Sequence, residues 1–579
     1  DSLSNKSVYS TGHIDYIIDF FDEYVMTYIH MTDEVIDNLE EFVETYGYWV
    51  TEIKKLEEEE EVNTINKEFV KSFRSKEIVG VIIPNSVTSI GESAFLDCTN
   101  LEEIKIPDSV ISIGKSAFLD CTNLKEIKIP NSVTSIGAYV FSNCSNLEEI
   151  EIPNSVKTIG DDAFYNCNRL EEIKIPNSVT TIGNRVFSFC SSLEEIEIPN
   201  SVKTIGESVF SSCSILKEIE IPNSVTSIGN YSFEYCDSLK YVIIPDSVIS
   251  IGKYAFKYCS SLKEIEIPNS VTTIDNGAFY NCSSLEYVKI PNSVTSIGER
   301  AFEKCSSLKS VIIPDSVTSI TDFAFEGCSS LEEIEIPNSV RTIGNRVFSF
   351  CSSLEKIEIP NSVTTIGKSV FSSCSILKEI EIPNSVTSIG NYSFDSCYSL
   401  EYVIIPDSVI SIGDDAFYNC SSLESVIIPN SITSIGKEAF MNCSSLKSVI
   451  IPDSVTSIGE SAFLHCDSLK SINIPKSIKN ITEIGIPKKT NIKYFPIVEG
   501  IKKPITGKKS KKPKTGKKSK KPKTGKKSKK PKTGKKPKTG KKSKKPKTGK
   551  KSKKPKTGKK SKKSKTGKKS KKSKTGKKP

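Results

Sequence analysis

Apolar residues return along most of the chain at a fixed period of 23, and their spacing within each period predicts short strands. In the segment 101–106, apolar and polar residues alternate, which predicts a β-strand of about four residues with one buried side. Pro107 ends this strand because it has no amide hydrogen to donate to a sheet. Val110 and Ile113 predict a second short extended piece after the corner. Each period is therefore expected to form one coil of the chain.

The remainder of each period is expected to return the chain to the next strand. Gly114 is a turn, and Ala117-Phe118-x-x-Cys121 fits a single helical turn. Glycine holds the turn position in most periods, but Thr321 replaces it once. Since a β-branched residue resists a positive φ, this corner is not expected to require a left-handed backbone.

The periods are uninterrupted, which indicates a repeat protein rather than several compact domains. Seventeen units run from Ile83 to Asn473 without an insertion or a deletion. One coil buries too few side chains to offset the entropy of ordering 23 residues, so neighbouring coils must stack. We expect a helical N-terminal region at 1–82, the repeats at 83–473, a degenerate C-terminal cap at 474–500 and a disordered tail at 501–579.

The N-terminal region changes in pattern and is expected to cover the open core of the first coil. Its apolar residues keep helical spacing, and Thr32 is a suitable N-cap. A coiled-coil partner site is the alternative interpretation of the same stripe. The residues of this stripe are Val35, Leu39, Phe42, Tyr46, Trp49, Ile53 and Leu56.

Each unit contains one cysteine, from Cys98 to Cys466. This regularity argues against a role as metal ligand, disulfide partner or nucleophile. Metal sites need converging ligands at close spacing or histidine partners, and the chain has three histidines. Equivalent residues of stacked coils point the same way at about 4.8 Å, which does not suit a disulfide. A nucleophile repeated in every unit is a poor candidate for a single active site. The cysteines are therefore predicted to be buried packing residues.

The repeat resembles that of a known family. Leu101-x-x-Ile104-x-Ile106 looks like the strand segment of a leucine-rich repeat, and the unit I-P-x-x-V-x-x-I-G-x-x-A-F-x-x-C-x-x-L is similar to the 23-residue type of BspA-like surface antigens. The resemblance implies an α/β repeat solenoid, a right-handed coil with a parallel β-sheet. It further implies binding and adhesion at cell surfaces, with no catalytic residue, metal or cofactor to carry over.

The third and fifth positions of the strand segment vary while the inward ones stay fixed, so a protein or glycan ligand is expected on this face. Three successive outward isoleucines form an apolar stripe that is typical of interaction sites, although outward isoleucine also simply suits a β-strand. The candidate residues are Glu195, Glu197, Glu218, Glu220, Tyr241, Ile243, Glu264, Glu266, Tyr402, Ile404, Ile427 and Ile450.

Charge divides the chain into an acidic body and a basic tail. Residues 501–579 contain 42 of the 80 basic residues and no acidic one, which leaves 38 basic against 70 acidic residues in the first 500. A tail without apolar residues after Ile505 cannot form a core. Its lysines are expected to bind polyanions, whether acidic polysaccharide, anionic lipid or nucleic acid, without selectivity. The first of them are Lys508, Lys509, Lys511, Lys512 and Lys514.

These features together predict a non-enzymatic binding or adhesion protein that lies at the cell surface or is secreted. The alternative is an intracellular scaffold, cytoplasmic or nuclear, held on nucleic acid by its tail. No run of apolar residues approaches the roughly 18 needed to cross a membrane.

Overall fold

The computed structural model describes residues 64–72 and 78–495, together with the backbone of short strands before residue 31. By its internal contacts the chain divides into two units, Asp1–Gly500 and Ile501–Pro579, and all the described residues belong to the first.

The alternating segment of each repeat forms the first strand of a coil, as its period of two predicts. In most coils this strand has three residues, with the middle side chain buried and the outer two facing solvent. The first strands are Gly80–Ile82, Glu103–Lys105, Glu126–Lys128, Glu149–Glu151, Glu172–Lys174, Glu195–Glu197, Glu218–Glu220, Tyr241–Ile243, Glu264–Glu266, Tyr287–Lys289, Ser310–Ile312, Glu333–Glu335, Glu379–Glu381, Tyr402–Ile404, Ser425–Val426, Ser448–Ile450, Ser471–Pro475 and Asn491–Phe495.

A second strand of two residues follows the proline corner in nearly every coil. Its isoleucine points into the core. These second strands are Thr64–Ile65, Ser89–Ile90, Ser112–Ile113, Ser135–Ile136, Thr158–Ile159, Thr181–Ile182, Ser227–Ile228, Ser250–Ile251, Thr273–Ile274, Ser319–Ile320, Thr342–Ile343, Thr365–Ile366, Ser388–Ile389, Ser411–Ile412, Ser434–Ile435 and Ser457–Ile458.

Most successive coils pair in parallel, with each residue opposite its equivalent in the next repeat. Glu126 is opposite Glu149, and Ile127 is opposite Ile150. The second strands pair in the same way, with Ser135 opposite Thr158. The predicted solenoid with parallel strands is confirmed, and each column of equivalent residues runs along the stack.

The return segment of each coil is not the predicted helical turn. Ser116 and Asp120 both have positive φ, 56° and 64°, and the equivalent positions of all seventeen coils are left-handed as well. The amides of Ser116, Phe118 and Asp120 each donate to a carbonyl of the following coil across 2.9 Å. Because these amides bond to the next coil, the return segment is a third ladder between coils. The described repeats therefore form a β-solenoid with almost no helix, rather than the α/β class that was expected.

The glycine corners are not left-handed, in agreement with the expectation drawn from Thr321. At most of these corners glycine is favoured by close approach instead. A Cβ added to Gly160 would lie 2.6 Å from the amide nitrogen of Ala138 in the preceding coil. Thr321 is accommodated with its Oγ1 donating to the carbonyl of Ile297 at 2.7 Å.

The core is built of columns of identical side chains. The phenylalanine of each repeat stacks on the next without a break from Phe95 to Phe463, with ring centroids 5.2–6.0 Å apart and ring planes 3–15° from parallel. Leucine, valine, isoleucine and cysteine columns surround this stack and are buried. Burial in such columns is gained only through neighbours, as in a one-dimensional repeat array.

The predicted helical N-terminal cap is not supported. In the described part of 1–82 the structure has one helix, α1 (Lys67–Ser72), and early strands at Ser10–Thr11, Ile14–Asp15, Ile17–Phe21 and Tyr24–His30. The residues whose helical spacing suggested a cap, 35–56, lie outside the described residues, as does the tail from 501 onward. After the repeats, Ser471–Pro475 pairs in parallel with Asn491–Phe495, which adds one more strand to the sheet.

Candidate binding face

The strand face, defined as the third and fifth positions of the first-strand segments, is exposed along the stack. All twelve residues predicted there lie on or directly after a first strand and face solvent. Because the coils are in register, the face consists of two parallel columns of side chains, spaced by one coil at about 4.8 Å. The face is therefore a surface whose chemistry is set coil by coil.

The N-terminal half of the strand face is acidic. Glu195 is directly opposite Glu172, and Glu197 is opposite Lys174. Like charges directly opposite each other on neighbouring strands are unfavourable, so strand stability does not account for the sequence of this half. The third-position column has glutamate in six successive coils, at Glu103, Glu126, Glu149, Glu172, Glu195 and Glu218.

In the C-terminal half of the strand face, the third and fifth positions are uncharged in three successive coils. These six residues form the uncharged patch. Its isoleucines are among the more exposed apolar side chains of the described residues, with 41% of Ile404, 67% of Ile427 and 59% of Ile450 accessible. The neighbouring column is also uncharged. The uncharged patch is formed by Tyr402, Ile404, Ser425, Ile427, Ser448 and Ile450.

Polar residues frame the uncharged patch at both ends. Glu381 is opposite Ile404 on the N-terminal side, and Asn473 is opposite Ile450 on the C-terminal side. Other outward isoleucines of the face stand singly: Ile312, for example, lies between a lysine and a glutamate. Within the described coils, three outward isoleucines in succession occur on this face only here.

A row of ion pairs borders the strand face at the second position of the segment. Lys125 pairs with Glu102 at 2.6 Å, and Lys309 pairs with Glu286 at 2.9 Å. The hydrogen bond from Lys309 lowers the pKa of Glu286. Exposed pairs contribute little stability, so the row mainly neutralises the lysines and glutamates along this rim. Further pairs in the row are Lys217 with Glu194, Lys378 with Glu355 and Lys447 with Glu424.

The cysteine column is buried, which confirms its prediction as packing. All seventeen cysteines are unpaired and fully buried. Burial raises the pKa of Cys190 and of Cys305 to about 12, so the reactive thiolate is scarce at neutral pH. Among the described residues, no group of three His, Cys, Asp or Glu side chains could hold a metal ion.

The repeats match a known family profile along their whole length. The profile described as "BspA type Leucine rich repeat region (6 copies)" matches residues 64–194, 180–309, 272–401 and 387–503. Together these matches span more than half of the chain. The chain belongs to the BspA type leucine-rich repeat family. Membership agrees with the in-register parallel strands and confirms the family that the repeat suggested.

Three of the solved structures similar to this BspA type chain are leucine-rich repeat proteins from bacteria. One from Bacteroides ovatus is 28% identical, with 83% of this chain and 98% of that chain covered and a TM-score of 0.38. A leucine rich cell surface protein from Faecalibacterium prausnitzii is 25% identical, with 73% and 94% covered and a TM-score of 0.34. One from Eubacterium ventriosum is 27% identical, with 61% and 85% covered and a TM-score of 0.35. No curated protein matches the chain in sequence.

The remaining site predictions have separate outcomes. The tail residues Lys508, Lys509, Lys511, Lys512 and Lys514 lie outside the described residues, so polyanion binding stays a prediction. The part of the chain that the structure describes contains no helix with the length and apolar character of a membrane span.

Sequence reasoning missed the surface of the return segments, because it treated them as a helical turn. The sequence does carry a signal for this surface, because the residue before each cysteine varies from aspartate to phenylalanine.

Proposed function

We propose that this BspA type chain is a non-enzymatic binding or adhesion protein whose strand face recognises a protein ligand. The observation that carries the proposal is the uncharged patch, an apolar stripe on a face that is otherwise mostly charged. Contiguous exposed apolar surface with a polar surround is typical of protein interaction sites. The patch is also well ordered, because its strands pair in register with their neighbours on both sides.

This order supports the proposal thermodynamically. Binding to a surface that is already ordered avoids the loss of backbone freedom that lowers the affinity of a flexible loop. A partner is expected to bury the three isoleucines at its centre and to meet the acidic columns at its edge with basic groups. Charge complementarity of this kind would set orientation and association rate more than affinity.

A display experiment tests the proposal. A displayed protein library is selected on the immobilised full chain, and hydrogen–deuterium exchange then locates the footprint of each selected binder. The proposal expects protection of the amides in 402–405, 425–428 and 448–451. Footprints spread evenly over the coils, or confined to the return segments, would contradict it.

We further propose that the lysine tail holds the protein on a polyanion at the cell surface or in the secreted state. The support is compositional: 42 lysines without an acidic residue release many counterions on binding a polyanion. An intracellular scaffold on nucleic acid is the alternative. Protease treatment of intact cells distinguishes the two, because a surface protein loses its tail while an intracellular one keeps it.

A further inference from the structure

The return segments carry a groove that is separate from the strand face. It is an open groove with a volume of about 680 Å³, lined by aromatic, serine and charged side chains. Its position follows the pre-cysteine column, which is the residue immediately before the cysteine of each coil. In three successive coils this column has Phe189, Ser212 and Tyr235. The groove opens where the small serine stands between the two aromatic residues.

The backbone of the pre-cysteine column makes its aromatic residues unusual. Every residue of the column has a positive φ, and Phe189 and Tyr235 have φ of 63° and 59°. This conformation favours glycine, asparagine and aspartate, which fill the column in many other coils, and it disfavours bulky side chains. Phe189 and Tyr235 are nevertheless 45% and 41% exposed, so burial in the core does not explain them. Phe189 also meets Tyr165 edge-to-face, with ring centroids 5.5 Å apart. Within the described coils, only here does the column place an exposed ring on each side of a small residue.

Ser212 leaves a gap of one ring in the column, because Phe189 and Tyr235 lie two coils apart, about twice the coil spacing of roughly 4.8 Å. In the next coil of the same column, Tyr235 and Tyr258 stack with their centroids 4.6 Å apart and their planes 7° from parallel. Ser212 places no ring at the corresponding level between Phe189 and Tyr235. The amides of Phe189 and Ser212 donate to carbonyls of the following coil at 2.8 and 2.7 Å, which fixes the spacing of the walls.

Two of the charged groups at the rim are already paired. Arg185 Nε lies 2.9 Å from Asp162 Oδ1, and Lys257 Nζ lies 2.8 Å from Glu234 Oε1. Lys257 Nζ also stands 5.6 Å from the centroid of the Tyr235 ring and steadies that wall. A phosphate or carboxylate ligand would have to compete with these pairs for its cation.

The floor and the remaining rim are suited to hydroxyl groups. The Asp237 carboxylate accepts the Ser260 hydroxyl at 3.3 Å and has capacity for further donors, while it repels an anion. An apolar ring in the groove would shield the hydroxyls of Ser208, Ser211 and Ser212 from water without offering a partner, at a cost. Ser214, in contrast, already donates to the carbonyl of Ser191 at 3.5 Å. The floor is formed by Ser208, Ser211, Ser212 and Ser214.

We propose that this groove is a carbohydrate-binding site for one ring of a neutral oligosaccharide. A pyranose presents a face of C–H groups to an aromatic wall and a rim of hydroxyls to serine and carboxylate groups, and both kinds of partner are present. The site is independent of the protein-binding strand face, and either can exist without the other.

The chain contains its own control seven coils later. Residues 183–250 return nearly unchanged at 344–411, so that Phe350 and Ser373 correspond to Phe189 and Ser212. In this second copy Ser396 stands in place of Tyr235 and Tyr398 in place of Asp237, so the pre-cysteine column has no ring on the C-terminal side of the serine and the rim carboxylate is absent. The second copy is therefore not expected to hold a sugar.

Binding of the full-length protein to an array of neutral glucose, galactose, mannose and N-acetylhexosamine oligosaccharides tests the proposal. Salt is raised to suppress attraction to the lysine tail. At least one glycan should bind, and calorimetric titration should show about tenfold weaker binding for Phe189→Asn and for Tyr235→Asn. Ser212→Tyr should abolish binding, because it fills the groove with a residue that the same column already accepts at Tyr258.

Phe350→Asn is the matched control and should leave affinity unchanged within about twofold. Circular dichroism of each variant verifies the fold. The proposal is overturned if no neutral glycan binds, if Phe350→Asn weakens binding as much as Phe189→Asn, or if Ser212→Tyr binds like the unmodified chain. Capture of an aromatic peptide in the groove, in place of any glycan, would overturn it equally.

Discussion

The thiol of Cys121 donates a hydrogen bond to the carbonyl oxygen of Phe95 in the preceding coil, across 3.1 Å. The same oxygen accepts the amide of Cys98 at 3.2 Å, so one carbonyl joins two coils. The relationship recurs along the stack as far as Cys466, which donates to Phe440. The cysteine fills a small space and also supplies a donor, which alanine could not do.

Thiol reactivity should be almost absent in the native protein. The thiols are buried, and burial raises the pKa of those such as Cys190 and Cys305 to about 12. A disulfide reagent at pH 8 should therefore label fewer than about one thiol per native chain, and all seventeen in guanidinium. Rapid labelling of several thiols in the native chain would contradict the buried column.

Alanine substitutions at the glycine corners should show whether glycine is needed because the coils approach closely or because of the backbone conformation. Gly160→Ala should lower the free energy of unfolding by roughly 1–3 kcal/mol, because its Cβ would meet the backbone of the preceding coil at 2.6 Å. Gly137→Ala is the control, since its Cβ would have its nearest neighbour at 3.5 Å, an ordinary contact. Thermal denaturation of both variants measures the difference. Equal destabilisation would argue for a conformational requirement shared by all corners.

Removal of whole coils should leave a folded protein. Deletion of 183–343 removes seven repeats and joins Ile182 to Gly344, which restores the native sequence pattern at the junction. Deletion of 183–354 is the control, because it joins Ile182 to Glu355 and shifts the period by about half a coil. Circular dichroism and thermal melting should show native strand content and a cooperative transition for the first variant only. Comparable melting of the two variants would argue against stacking in register.

Identical residues at a fixed period have to stack, so the columns of Phe118 and Cys121 could be predicted from the sequence alone. The return ladder could not. The left-handed positions are occupied by residues as different as Ser116, Asp120 and Phe189, and their conformation is imposed by hydrogen bonds to the next coil. The return segment of a single repeat therefore resembles a helical turn in sequence. Only its hydrogen bonds to the next stacked coil rule out a helix. The groove beside Phe189 depends on this same ladder and was missed for the same reason.

The tail should dominate binding to acidic polysaccharide. On a heparin column the full chain should elute only at high salt, and a chain truncated after Gly500 should flow through because its body is acidic. Replacement of five tail lysines by glutamine, at Lys508, Lys509, Lys511, Lys512 and Lys514, should lessen the salt slope by about 0.7–0.9 for each ionic interaction removed. Retention of the truncated chain would refute anchoring by the tail.

The proposed recognition through the strand face should depend on the three outward isoleucines of the uncharged patch. A variant that changes Ile404, Ile427 and Ile450 to lysine removes them, and circular dichroism verifies its strands; the same column already has lysine in two successive coils, at Lys105 and Lys128. A protein binder selected on the unmodified chain should lose its central apolar contacts to this variant. Titration should then show binding about 100-fold weaker than to the unmodified chain.

The decisive measurement is the titration of that binder against this variant and a matched control. The control changes Ile111, Ile249 and Ile410 to lysine; these are similarly exposed, at 61%, 56% and 54%, but precede the second strands. The control should bind less than about threefold more weakly than the unmodified chain, against about 100-fold for the patch variant. Equal affinities of the two variants would contradict recognition through the uncharged patch.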